Sequence, residues 1–117
     1  MIFVFGSNLA GRHGRGAAKF ALLNHGAIYG QGWGLQGNSF AIPTKDANIK
    51  TLPLPFIRTY VEKFKGYARQ HPEMTFQLTP IGCGLAGYKY SDIGPMFKNS
   101  PPNVIIPNEF KGYIDDI

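Results

Sequence analysis

Cysteine is almost missing from this 117-residue chain, with Cys83 the only one. A single thiol excludes a disulfide framework, and no Cys/His grouping has zinc-ligand spacing. Acidic residues are also scarce, seven against twelve Lys and Arg. No apolar run approaches the roughly 18 residues that would mark a membrane-spanning helix. The opening MIFVF is apolar for only five residues and lacks a basic leader, so no signal peptide is expected. Neither a metal nor a cofactor is implied. The simplest expectation is one soluble, cytoplasmic domain over residues 1–117 with no membrane partner.

What is present is an apolar fraction of 44%, enough for a core, together with fifteen glycines and nine prolines. That content is too high for a helical bundle and points to tight turns or to backbone packed close to a ligand. The net charge of +5 is unevenly placed: residues 1–70 carry nine Lys/Arg against two acids, residues 71–117 three against five. A basic first half suits an anionic partner, either a phosphate-bearing small molecule or nucleic acid, and equally suits a solvated surface.

Ile2–Phe5 reads as a buried strand ended by Gly6, and the Ala- and Leu-rich 17–23 stretch as a helix stopping near Asn24-His25-Gly26. Gly30–Gly37 reads as a glycine-dense loop around Trp33, and Asn38–Pro43 as a second strand entering the loop Thr44-Lys45-Asp46. After Leu52-Pro53-Leu54-Pro55, the residues Phe56, Ile57, Tyr60, Val61, Phe64 and Ala68 keep helical spacing. Arg58, Glu62, Lys65 and Arg69 fall on the wet side, and His71-Pro72 ends the helix. Thr75–Pro80 and Val104–Ile106 read as further strands, and Ser91 as the cap of a short helix containing Pro95. Alternating strands and helices predict an α/β fold with a mainly parallel central sheet.

In such a sheet, ligands sit beyond the carboxyl ends of the strands. Three loops leave strands there: Gly6–Gly16, Pro43–Asp46 and Ile81–Tyr88. The first and last are glycine-rich and lead toward helices, an arrangement that lets backbone N–H groups approach a diphosphate, with Arg12 and Arg15 adding charge. The same glycines could simply make turns. Gly32-Trp33-Gly34-Leu35-Gln36-Gly37 matches the G-x-G-x-x-G dinucleotide fingerprint, but it precedes a strand instead of following one. No Gly-Lys-Ser/Thr of a P-loop is present.

Ile81-Gly82-Cys83-Gly84-Leu85 followed by Tyr90-Ser91-Asp92-Ile93 resembles the second phosphate loop of macrodomains, most closely the branch of terminal ADP-ribose protein glycohydrolases. Ser39-Phe40-Ala41-Ile42-Pro43-Thr44-Lys45 is similar to that branch's strand ending in Thr-Lys. Asn8 with the Gly11–Gly16 loop and its Ala-rich helix resembles the family's first ribose and phosphate loop. The resemblance implies a compact three-layer α/β/α macrodomain-like fold binding ADP-ribose through Asn8, Gly11, Arg12, Gly14, Arg15, Gly16, Thr44, Gly82, Cys83, Gly84, Leu85, Ala86, Gly87 and Tyr88. It places Lys45 at the nucleophile position. The family's acid/base aspartate position is Ala86, so that pair is broken, and Asp46 or Asp92 would have to substitute. The chain is also shorter than most macrodomains, which implies a trimmed outer strand or a more open pocket.

Residue by residue, duller roles compete. Lys45 could contact phosphate or be an exposed loop lysine, and covalent attack would need a depressed pKa. Cys83 fits a crowded turn between glycines, and a catalytic thiol would need a base that His13, His25 and His71 are too remote in sequence to supply. His13 could touch a ribose or phosphate, or lie on the surface. Trp33, Tyr88 and Tyr90 could stack on a base, with packing onto the domain the stronger role for Trp33. Asn8 could bind a ribose hydroxyl or bond its own backbone. Three functions follow: a module binding ADP-ribose or a related NAD-derived nucleotide, an ADP-ribosyl hydrolase or ADP-ribose phosphate phosphatase using Lys45, and, ranked last, a nucleic-acid-binding protein.

Overall fold

A computed structural model describes residues 1–114. Its centre is a five-stranded sheet in the order β2-β3-β1-β4-β5, built from β1 (Ile2–Asn8), β2 (Gly34–Gln36), β3 (Ser39–Lys45), β4 (Phe76–Leu78) and β5 (Val104–Ile105). The β1/β3, β1/β4 and β4/β5 pairs are parallel, and β2/β3 is antiparallel. The sheet is therefore mixed. Gly37-Asn38 joins β2 to β3 through a two-residue turn, and so short a connection permits only antiparallel pairing. The expectation of a loop throughout Gly30–Gly37 is corrected accordingly. Gly6, expected to end the first strand, lies inside β1 and pairs with Ile42.

Alternation along the central strands sends side chains to two clusters. Phe3 and Phe5 meet Ala41 and the Ala18 and Ala21 face of α1 (Gly16–Asn24). Val4, Phe40, Ile42, Phe76 and Leu78 join Ile57, Val61, Phe64 and Ala68 of α2 (Leu54–Gln70), with Ile93, Met96, Phe97 and Phe110 closing that cluster. Complete burial of one medium-sized side chain of this kind contributes roughly 1.5–3 kcal/mol, so the larger cluster dominates the stability. Two short helices, α3 (Tyr90–Ile93) and α4 (Asn108–Lys111), flank a 3-10 turn at Gly94–Phe97.

Helix α2 starts at a Pro53 cap with Pro55 in its first turn, where a missing N–H costs nothing. Two of its side chains depart from the helical-wheel expectation. Phe56 is 59% exposed, while Lys65 is buried. The Lys65 ammonium donates to the carbonyls of Met96 (2.9 Å) and Lys98 (2.8 Å) and to the Glu62 carboxylate (3.0 Å). A helix that packs against the Gly94–Phe97 turn as well as the sheet has two buried stripes, and periodicity shows only the apolar one. Ser91 is also not the cap of α3. Lys89 precedes the helix, and its N–H donates to Asp92 Oδ2 at 3.0 Å. Among the described residues no helix is long and apolar enough to cross a membrane.

Candidate functional site

Strands β1, β3 and β4 run parallel, so their carboxyl ends open on one rim. After β1 the chain turns to one side to build β3, then crosses to the other to build β4. A crevice forms at such a switch. Here it is a cleft of about 530 Å³, within the range of small-ligand sites. The structure brings together at its walls Asn8, Arg12, Gly14, Arg15, Gly16, Thr44, Lys45, Gly82, Gly84, Leu85 and Ala86 from among the residues singled out in the sequence. Gly6, Ser7, Ala17, Ala18, Ile49, Thr79, Pro80 and Ile81 line it too. Ile81 belongs to the expected loop Ile81–Tyr88, whereas Thr79 and Pro80 were expected inside the strand, which ends at Leu78. Ile49 is brought in by a turn that only the fold reveals.

The first loop is held from within. Asn8 accepts the Arg12 N–H and donates to the Arg12 carbonyl, both at 2.9 Å, so it bonds local backbone and sets the loop shape. Ser7 donates to the Gly32 carbonyl. The loop delivers Arg12 and Arg15, both exposed, to the start of α1. No side chain caps that helix, and Gly16, Ala17 and Ala18 of its first turn line the cleft. Their N–H groups and the positive end of the helix dipole favour an anion there. Leu85, 64% exposed, reaches toward Gly16 from the opposite loop. Among the described residues the lining contains three cations, no Asp or Glu, and largely apolar walls.

Other expected site residues lie elsewhere. Gly11 packs its backbone against Gly30 and Gln31, so it is a spacer and not a ligand contact. Asp46 turns away from the cleft: its Oδ1 accepts the N–H groups of Asn48 (2.8 Å) and Lys50 (3.0 Å) and closes the turn after β3. Gly87 closes the turn of the last loop by donating to the Gly84 carbonyl. Tyr88 donates its hydroxyl to the Leu52 carbonyl at 2.7 Å and packs on the main core. Cys83 faces a separate groove, and burial together with nearby Asp92 pushes its thiol from 9.0 to about 11. Such a thiol is almost wholly protonated at neutral pH and is a poor nucleophile.

His13 is neither at the cleft nor on the surface. It is fully buried, edge-on to Phe5, with Nε2 facing the oxygens of Gln31 (3.0 Å) and Gln36 (3.2 Å). Two acceptors place the proton on Nε2. Trp33 packs against Phe40 and Tyr60, as expected for a side chain folded back on the domain. Tyr90 rests on Phe110 away from the cleft.

No family model matches this chain, and no solved structure matches it. Among curated proteins it is similar to the small ribosomal subunit protein uS3 of Haloarcula marismortui, with 37% identity over 59 residues. The match covers 50% of this chain and 19% of that protein, so the chain spans about a fifth of the length of the relative it matches. This similarity corrects the expectation of an ADP-ribose module, with its hydrolase and phosphatase variants: it is to a protein of the small ribosomal subunit.

Proposed function

We propose that the chain binds nucleic acid, taking a phosphate of a single strand in the cleft between its two glycine-rich loops. One observation carries this reading: Arg12, Arg15 and Lys45 meet the open first turn of α1 in a cleft whose lining, among the described residues, holds no acid. Phosphate contacts of this kind supply affinity without reading sequence. The apolar residues Ile49, Pro80 and Leu85 give a base or sugar a surface on which to pack. The basic first half of the chain and the likeness to a ribosomal protein support the same reading.

The architecture we propose is three-layered and macrodomain-like, supported by the two clusters on alternating side chains of β1 and β3 and by both glycine loops reaching one cleft. It is a statement about the fold and carries no ligand with it.

Fluorescence anisotropy of a labelled oligouridylate tests the binding. Neutralising the one phosphate held in the cleft gives a log–log salt slope of about −0.7, so raising salt fourfold weakens binding roughly 2.6-fold. Replacing Arg12, Arg15 and Lys45 together with Ala flattens that slope. Absence of binding at low salt, or a triple variant that binds like the wild type, overturns the proposal.

A further inference from the structure

Beside the cleft lies a second groove, of about 340 Å³, lined by Cys83, Tyr88, Lys89, Tyr90, Ser91 and Tyr113. The two depressions share one wall. Gly82 and Gly84 face the cleft, and Cys83 between them faces the groove. A strand leaving the cleft over this loop therefore enters the groove after a single residue's width of backbone.

We infer that this groove is a second base-binding site, which stacks the bases adjoining the nucleotide held in the cleft; the inference rests on the nucleic-acid reading of that cleft. Three tyrosines line one small groove, and two of them keep exposed rings, Tyr90 at 43% and Tyr113 at 42%. Tyr90 is braced from behind by Phe110, with ring centroids 6.3 Å apart. Tyr88 is fixed by its bond to the Leu52 carbonyl and serves as a wall. Rigid rings offered at low entropic cost are what stacking on bases requires. Exposed Lys89 supplies a cation for the backbone, while Asp92, close enough to raise the Cys83 thiol, disfavours a phosphate deep in the groove. Bases inside and phosphates at the rim satisfy both charges.

The test is a length series of oligouridylates, from uridine monophosphate to eight nucleotides, titrated against wild type, Tyr90→Ala and Tyr113→Ala. Affinity is expected to rise with length in the wild type. Each Ala variant is expected to lose roughly 5- to 150-fold at the longer lengths, the range seen for single base–aromatic stacks. Mononucleotide binding is expected to stay unchanged, and Tyr90→Phe to restore the length dependence. A wild-type affinity that stops rising beyond one nucleotide, or Ala variants indistinguishable from wild type at eight, overturns this inference and leaves the cleft reading standing. No binding at any length overturns the cleft reading and this inference together. Photocrosslinking of a thiouridine placed next to the terminal nucleotide gives a readout independent of variant folding. Crosslinks at Tyr90 or Tyr113 support the groove, and crosslinks confined to other residues overturn it.

Discussion

Replacing Lys65 with Met separates the parts of a buried charge site. In the wild type the ammonium is held by two backbone carbonyls at 2.8–2.9 Å and by Glu62 at 3.0 Å. The Glu62 side chain is 53% exposed, so that ion pair is solvent-screened and contributes no more than about 1 kcal/mol. The carbonyls of Met96 and Lys98 each lose a charged donor in the variant, at roughly 1.5–3 kcal/mol apiece. Relief of the ammonium's desolvation offsets part of this, and Met keeps the volume of the stem. The expected net loss is about 2–3 kcal/mol, or roughly 10 °C in Tm for a domain of this size. Glu62→Gln is expected to cost less than about 0.5 kcal/mol. Urea denaturation with an unchanged m-value measures both. A Lys65→Met variant as stable as the wild type would show that desolvation cancels the carbonyl bonds. A Glu62→Gln loss as large as that of Lys65→Met would show that the ion pair dominates.

Further outcomes are expected at Cys83, Gly11 and Gly14. With its thiol near 11 in the fold and 9.0 when exposed, Cys83 binds its proton more tightly when folded, so stability falls as pH rises from about 9 toward 11. At pH 8 its alkylation is expected to be roughly a hundredfold slower in the native protein than in urea, which stopped-time mass spectrometry reads; equal rates would refute the shift. Gly11→Ala places a Cβ inside the backbone of Gly30 and Gln31 at a positive φ of 69°, and is expected to cost at least about 3 kcal/mol. Gly14→Ala meets nothing within 4 Å and is expected to stay within about 0.5 kcal/mol. Thermal melts of the two variants distinguish a spacer from a cleft residue.

Much of the architecture was legible from local chemistry. β-Branched and aromatic runs mark β1, β3 and β4, and the apolar stripe of α2 follows the 3.6-residue period. The two glycine-rich loops were recognisable because each leaves a strand and leads toward a helix. These features depend on neighbours in sequence, so a window of residues contains them. The hairpin of β2 was also present, as Gly37-Asn38, but the density of glycines over Gly30–Gly37 reads as loop.

Three-dimensional packing decided the rest. Strand order brings loops from residues 6–16, 43–46 and 79–86 to one rim, and no spacing along the chain encodes that meeting. Lys65 reads as a solvated residue until the Gly94–Phe97 turn and the residue after it bring the Met96 and Lys98 carbonyls to its ammonium. His13, one residue from exposed Arg12, is sealed behind Gln31 and Gln36. Asp46 and Asn8, both chemically able to touch a ligand, are turned to local backbone N–H groups. By itself, the sequence determined β1, β3, β4, α1 and α2, though not β2 or α4, and that basic, glycine-rich loops follow the strands, because propensity and periodicity are short-range. Only the tertiary structure decided which loops meet at the cleft and where Lys65 and His13 find their partners, because those contacts depend on proximity between segments far apart in the chain.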